Sequence, residues 1–275
     1  MGDFTSPWQG YDFSGLSAAL SRIQEITRPA LEALQNIQST LQPIVEALEQ
    51  YKPKVEEIGQ VLWHVSRRFS AIEKMGDAQF VFWDYMTEEF VDEIVDSENI
   101  NKTLREQMLR DRFSKVNRTI DKTLSSLAMQ KYKRLYSQSV VAFRDGNSDL
   151  AVTGFTSVFD GLLTAISGNT TSRLGPRIDV IKKKLDNDEF LDYDEYAMLT
   201  LAMTLEKTLD SFSAPSDFKG KEPKGLNRHW IAHGRSTRKK TKLDCVKMIN
   251  LIYGLLLIGD LESTASSNSS CENGA

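Results

Sequence analysis

Residues 246–258 read Val-Lys-Met-Ile-Asn-Leu-Ile-Tyr-Gly-Leu-Leu-Leu-Ile and form the longest apolar run of the chain. Lys247 and Asn250 interrupt it. A helix that spans a membrane needs about 20 consecutive apolar residues, so the run is too short to cross a bilayer. It is typical of a helix buried in a core, and we predict such a helix over residues 242–261. Its start is marked by Thr241 and Asp244, whose spacing resembles a capping box.

The segments around this run show helical periodicity, and none shows the sustained alternation of a strand. With 275 residues, 40% of them hydrophobic, the chain can bury a core without disulfides or structural metals. The sequence therefore predicts an all-α protein, with further helices at about residues 79–95, 103–125, 127–143, 149–166, 176–185, 192–212 and 226–233.

The N-terminal part of the chain has a different pattern. Apolar residues from Leu34 to Val65 alternate gaps of three and four, which indicates a heptad seam. Pro29, Pro43 and Pro53 lie along this part and predict kinks. We expect residues 1–75 to form a coiled-coil-like helical arm. The pattern favours equally an arm that packs on the chain's own body and one that self-associates or binds a sensor or inhibitor protein.

Cysteine usage and the N-terminus predict a cytoplasmic protein. Cys245 and Cys271 form no Cys-x-x-Cys pair, and no basic segment followed by an apolar stretch opens the chain. We expect no membrane association and no cofactor. Residues 263–275 are small and polar and are predicted to be a disordered tail.

The charge of the chain is unevenly distributed. The net charge is -4, yet residues 217–244 contain nine basic residues and three acidic ones. Such a basic segment on an acidic protein is typical of a site for polyanions, and equally of a solvated loop. As candidates for RNA binding in and around it we assign Lys224, Asn227, Arg235, Arg238, Lys239 and Lys240.

A short stretch inside this basic segment carries the strongest chemical signal. Residues 227–234 read Asn-Arg-His-Trp-Ile-Ala-His-Gly. Asn227 is a suitable N-cap and Gly234 a suitable residue after the helix end, so a short helix is predicted between them. His229 and His233, four residues apart, then share a face with Arg228 at its side.

Two kinds of chemistry fit this face. The histidine spacing is one that zinc uses, but the glutamate of metalloprotease motifs is absent and the third histidine, His64, lies far along the chain, so we predict no metal site. Alternatively, a histidine can transfer a proton and an arginine can hold a phosphate. RNA brings its own nucleophile, the 2′-hydroxyl, so this set predicts cleavage by transesterification.

The pattern resembles the HEPN superfamily, whose ribonuclease members carry an Arg, a polar residue and a His four to six residues after the Arg. Arg228, His229 and His233 match it. The resemblance covers about residues 127–261, and residues 159–163 (Phe-Asp-Gly-Leu-Leu) look like a helix frequent in such domains, where the acid is commonly Glu. It implies a HEPN-like helical bundle at 127–262, joined to the arm by a helical connector at 76–126.

The resemblance also implies a function. In the family, two domains pair so that two motifs share one cleft, which predicts a homodimeric, metal-independent endoribonuclease of the bacterial toxin or antiviral defence type, with Arg228, His229 and His233 as catalytic residues. Toxins of this type that are silenced by adenylylation have a tyrosine two residues after the histidine. Arg235 stands there, so that regulation is not expected. Two alternatives remain, a noncatalytic HEPN interaction module and a helical scaffold without a nucleic-acid role.

Overall fold

The computed structural model describes residues 52–81, 87–171, 174–186, 195–216 and 218–272. Every regular element in these ranges is helical, as the sequence predicts. In chain order the α-helices are α1 (Lys52–Asp77), α2 (Glu88–Val95), α3 (Ile100–Met108), α4 (Ser114–Ser125), α5 (Lys133–Arg144), α6 (Ser148–Ser167), α7 (Leu174–Asp186), α8 (Glu195–Ser213), α9 (Arg228–Ala232) and α10 (Lys242–Glu272). Two short 3₁₀ turns, Asp111–Phe113 and Gln130–Tyr132, precede α4 and α5.

Helices α6 and α10 form the centre of the core. They pack along each other, α5 covers α6, and α4 covers α10, while α1 packs on α2 and α8. Nearly all side chains from Leu243 to Ile258 are buried, which confirms the prediction of a buried helix. Helix α6 also has the length and mean hydropathy of a candidate membrane span, the one such helix in the described ranges, and just over half of that window is buried inside the fold.

Local signals set the ends of the central helices. The N–H of Asp244 donates to Thr241 Oγ1 at 3.2 Å and the N–H of Thr241 donates to Asp244 Oδ2 at 2.8 Å, which completes the predicted capping box. Asn147 caps α6 by accepting from the N–H of Leu150. Gly168 ends α6 with φ 63°, a left-handed conformation that glycine adopts without strain.

Two of the predicted helices are interrupted. In the predicted helix over 79–95, residues 79–81 are not helical, residues 82–86 lie outside the described residues, and α2 begins only at Glu88, with Thr87 as its N-cap. Instead of one helix over 103–125, α3 ends at Met108, and Arg112 and Phe113 have φ of 53° and 63° before α4 begins. These left-handed residues break the periodicity that the sequence alone suggested.

Gln79 explains why the predicted helix over 79–95 is not helical at its start. Its φ is 57°, and its buried side-chain amide bonds to both backbone groups of Leu226. Gln79 Oε1 accepts from the N–H of Leu226 and Gln79 Nε2 donates to its carbonyl, both at 2.6 Å. These bonds require the chain to leave the helix at Gln79, and they fix the segment that leads into α9.

The inner end of the predicted arm packs on the chain's own body, which is one of the two alternatives, whereas the predicted tail begins as a helix. Residues 1–51, with most of the heptad seam, lie outside the described residues, but Ala71, Ile72 and Met75 of the predicted arm are buried in the fold. The segment from 263, predicted as a disordered tail, continues α10 as far as Glu272. No proline or glycine lies between Gly259 and Gly274 to stop that helix.

Glu222 organises the loop between α9 and α10. Its carboxylate accepts from the N–H groups of Thr237 and Arg238 at 2.9 and 3.0 Å, from the hydroxyl of Ser236, and from Lys240 Nζ at 3.3 Å. Burial raises the pKa of this carboxyl, but the hydrogen bonds and the lysine outweigh burial and hold the pKa at about 2. The ionised form of Glu222 therefore stabilises the loop.

We expect Glu222→Gln to lower the free energy of unfolding at pH 7 by about 2 kcal/mol. Because the folded-state pKa lies below the ordinary 4.5, the contribution is complete above pH 4.5 and is lost as the pH falls toward 2. Denaturant unfolding at several pH values measures this as a difference from wild type that shrinks on acidification. Glu106→Gln, at an exposed position, is the matched control, and an equal loss in both variants would contradict the role of Glu222.

Candidate functional site

Helix α9 presents the predicted motif, and its caps form as expected. Asn227 accepts from the N–H of Trp230 at 3.2 Å and donates its Nδ2 to the carbonyl of Ala214 at 3.0 Å. Gly234 follows the helix with φ 64°. Trp230 and Ile231 are buried and Trp230 Nε1 donates to Ser216 Oγ, so this five-residue helix is anchored to the fold on one side. The other side carries Arg228, His229 and His233.

Arg228 makes a bidentate ion pair with Asp160 of α6. Its Nε lies 3.1 Å from both carboxylate oxygens and its Nη2 lies 2.7 Å from Oδ2. The side chains are 17% and 25% exposed, so water screens the pair only in part. The second terminal nitrogen, Nη1, makes no hydrogen bond to the described residues, and the ion pair thus orients the guanidinium while leaving donors unused.

The surroundings of Asp160 hold α6 in place at this point. The ring of Tyr132 lies against Gly161 where any side chain would overlap it, and its hydroxyl donates to the carbonyl of Gly161 at 2.8 Å. Arg177 of α7 donates to the carbonyl of Asp160 at 3.3 Å and to Thr164 Oγ1 at 2.6 Å. The backbone that carries the Asp160 carboxylate is therefore fixed by hydrogen bonds from Tyr132 on one side and from Arg177 on the other.

The two histidines lie next to each other around one aromatic ring. The ring centroids of His229 and His233 are 5.3 Å apart. Phe218 contacts both, at 5.9 and 5.6 Å, and also Trp230 at 5.4 Å. The guanidinium carbon of Arg235 lies 4.8 Å from the centroid of Phe218. Phe218 has φ 59°, unusual for a bulky residue, so the backbone is strained where this ring is positioned.

The two histidines differ in environment. His233 is exposed, whereas His229 is half-buried and its Nδ1 is buried with no hydrogen-bond partner in the described residues. Burial, together with the positive charges of Arg228 and His233, lowers the pKa of His229 below its ordinary value. His229 is therefore neutral at pH 7 and able to accept a proton.

Arg228, His229 and His233 line one cleft of about 750 Å³. Its opposite wall comes from α7, which contributes Ile178 and Asp179, and from the end of α8 with the residues that follow it. The cleft is open to solvent and large enough for one or two nucleotides. All three predicted catalytic residues are thus brought to one surface.

The residues assigned to RNA binding fall into two groups. Lys224, Arg235 and Lys239 are exposed. Asn227, Arg238 and Lys240 instead bond within the chain, since Arg238 pairs with Asp244 at 3.0 Å and buried Lys240 pairs with Glu222. The buried side chains of Asn227 and Lys240 therefore hold α9 and the following loop in place and are not exposed to a ligand.

Sequence reasoning missed Phe218, Arg177 and the part that Asp160 plays. Asp160 could have been suspected, because it is the only charged residue between Leu150 and Ser167 in an otherwise apolar helix. In the described residues no three His, Cys, Asp or Glu side chains lie together as a metal site would need, and His64 lies exposed on α1.

No family model, curated protein or solved structure matches the chain.

We expect a double-mutant cycle of Asp160→Asn and Arg228→Met to give a coupling free energy of about 1–3 kcal/mol in denaturant unfolding. Asp160→Asn alone leaves a part-buried guanidinium without its counter-charge and should destabilise the fold strongly. The losses of unfolding free energy in the two single variants should therefore sum to more than the loss in the double variant. Asp179→Asn in the same cleft is the matched control and should show no coupling to Arg228. A coupling near zero for Asp160 would mean that the ion pair does not hold α9.

Proposed function

We propose that the protein is a metal-independent endoribonuclease that cleaves RNA by attack of the 2′-hydroxyl on the adjacent phosphate. The observation that carries the proposal is the convergence of Arg228, His229 and His233 on one open cleft, with Asp160 orienting the arginine. An arginine and two imidazoles are the groups that a transesterification without metal requires. The match to the HEPN ribonuclease motif supports the same chemistry.

The geometry suggests roles for the three residues. The unused Nη1 of Arg228 donates to a phosphate oxygen and stabilises the charge that develops on the phosphorane. His233, exposed at the cleft, takes the proton of the 2′-hydroxyl or returns one to the leaving 5′-oxygen. His229, neutral and 5.3 Å from His233, orients the site from beside it.

RNA reaches the cleft along an exposed basic surface. Arg235 and Lys239 follow α9 on the loop to α10, and Lys224 precedes it. Arg235 stacks on Phe218, which contacts both histidines, so a phosphate bound by Arg235 lies close to the reacting groups. We propose that the enzyme acts in the cytoplasm as a toxin or defence effector, with the N-terminal arm as a sensor or inhibitor-binding element.

A noncatalytic HEPN-type interaction module is the second candidate, and one observation favours it. Three of the hydrogen-bond contacts of Arg228 already go to Asp160, as they would in a residue that only holds two helices together. The two candidates differ in what His233 does. In a binding module its imidazole has no proton to transfer, so a catalytic assay separates them.

We expect purified protein to cleave mixed RNA in excess chelator and to leave 2′,3′-cyclic phosphate ends. His233→Ala should reduce turnover by about 10²- to 10⁴-fold, the usual contribution of general acid–base catalysis, with the thermal unfolding midpoint preserved. Arg228→Ala should suppress cleavage through lost phosphate stabilisation, and His229→Ala should have a smaller effect. RNA with a 2′-deoxy group at the cut should resist.

The matched control for His233→Ala is His64→Ala, which removes an exposed imidazole from α1. It should leave turnover unchanged. Wild-type turnover in His233→Ala, or loss of activity on chelation, would overturn the mechanism. Absence of cleavage together with tight binding of a protein partner would support the interaction module.

Homodimerisation is part of the proposal, but its surface is not the one first expected. The apolar character of residues 246–258 predicts that this helix supports the dimer contact. They are buried in the chain's own core, so they have no free apolar face to offer a second copy. We propose instead that the surface around α9 itself meets its symmetry mate, which brings two sets of Arg228 and His233 to one cleft.

We expect sedimentation equilibrium at micromolar concentration to show a dimer, and specific activity to fall as dilution dissociates it. Deleting residues 1–51 tests the heptad seam while sparing Ala71, Ile72 and Met75, which belong to the core. The truncated chain should remain dimeric and active. Full activity of a strictly monomeric protein would contradict the shared cleft, and loss of the dimer on truncation would place the contact in the arm.

A further inference from the structure

A second cleft, of about 500 Å³, lies between α3, the end of α1 and the start of α10. The loop residues Lys224 and Gly225 complete its wall. It shares no lining residue with the cleft that holds His229 and His233. Its existence and its properties do not depend on the proposed ribonuclease activity.

The lining of this second cleft has an excess of positive charge. Its cations come from three separate parts of the fold and are Lys102, Arg105, Lys224, Arg238 and Lys247. Its acids are Asp77 and Asp244, and both are already paired. Asp77 pairs with Lys207, which lies outside the cleft, at 2.9 Å, and Asp244 pairs with Arg238 at 3.0 Å. Among the described residues, Lys102, Arg105, Lys224 and Lys247 therefore line the cleft without an acid paired to them.

Two of these cations are placed as a pair. Lys102 and Arg105 are three residues apart on α3, so they share one face of the helix, and both are exposed. Neither has an ion pair with any described residue. Across the cleft Lys224 is also exposed and has no acidic partner in the part of the chain that is described. Like charges held this close repel one another, and an anion between them relieves the repulsion.

Lys247 lies at the base of the cleft and is the most unusual of the five. Only 8% of the residue is exposed, and its ammonium donates to one neutral group, Asn101 Oδ1, at 2.7 Å. An ammonium carries three donors, so two remain for a ligand. Burial lowers the pKa of Lys247 to about 8, against the attraction of Asp244. A buried cation without an ion-pair contact is destabilising when no ligand is bound, and it favours binding of an anion.

From this arrangement we infer that the second cleft is a binding site for phosphate groups. Lys247 and Arg238 hold the inner oxygens, and Lys102, Arg105 and Lys224 hold the outer ones. Among the residues that the structure describes, no aromatic side chain lines the cleft, while amides of Gln79, Asn99 and Asn101 do. This described lining offers charge and hydrogen bonds to a phosphate. The phosphates belong to a small multiply phosphorylated compound or to the backbone of a bound RNA.

The test uses inorganic pyrophosphate as the probe and full-length protein, with isothermal titration calorimetry at a fixed ionic strength of about 0.15 M, where distant charges are screened. Wild type should bind one pyrophosphate per chain. Lys102→Gln with Arg105→Gln should weaken binding by at least about tenfold, because each lost charge-assisted hydrogen bond to phosphate has a substantial free energy. Lys247→Met should weaken it similarly.

The matched control is Lys133→Gln with Arg134→Gln, which removes the same charge from exposed positions on α5. It should leave binding unchanged. No binding by wild type, or equal weakening in the control pair, would overturn the site. So would loss of binding in His233→Ala with retention in the α3 variants, since the probe would then occupy the other cleft. Circular dichroism of each variant verifies that it is folded. If Lys247→Met does not fold, the substitutions at the exposed positions 102 and 105 still test the site.

A competition arm identifies the source of the phosphates. A short RNA with 2′-deoxy positions, which resists cleavage, is titrated against bound pyrophosphate. Displacement from wild type, together with weaker RNA binding by the α3 variants than by the control pair, assigns the site to RNA backbone. Retention of pyrophosphate in the presence of bound RNA assigns it to a small phosphorylated compound. Because pyrophosphate binding is measured without turnover, a protein that fails to cleave RNA can still confirm this site.

Discussion

The ion pair between Arg228 and Asp160 is the contact on which the candidate site depends. Helix α9 has only five residues and cannot be stable by itself, since isolated helices of this length lack the hydrogen bonds that offset their conformational entropy. Its position comes from outside: Asn227 and Trp230 attach one side, and Asp160 attaches the other through a bidentate pair. The same ion pair sets the orientation of the guanidinium. One interaction therefore both stabilises α9 and positions the arginine of the candidate site.

The ion pair connects the candidate site to the centre of the protein, where α6 packs on α10. Asp160 must be held rigidly to orient Arg228, and Gly161 makes this possible by letting Tyr132 approach the helix and bond to its backbone. Helix α10 fills the other face of α6 with buried side chains. The long apolar run and the short polar motif, which look unrelated in the sequence, are therefore connected through α6.

Local signals in the sequence predict much of this. The N-cap of Asn227, the left-handed Gly234, the Thr241 capping box and the buried helix at 246–258 each depend on residues within one or two turns, and all four are confirmed. The misses are of a different kind. Asp160 lies 68 residues before Arg228, and Gln79 lies 147 residues before Leu226. No periodicity carries information about contacts at such separation. The charge of Asp160 in an apolar helix marks that residue, but its pairing with Arg228 and the non-helical turn at Gln79 could not be predicted.

The hydrogen bonds between Gln79 and Leu226 couple the end of α1 to the candidate site. Both hydrogen bonds are 2.6 Å long and both involve the backbone of Leu226, so a shift of Gln79 is transmitted directly to that backbone. Leu226 is followed directly by Asn227 and Arg228. A force that turns or shifts α1 along its 26 residues must therefore move the first turn of α9 or break two buried hydrogen bonds. Helix α9 is in this way mechanically coupled to the end of α1.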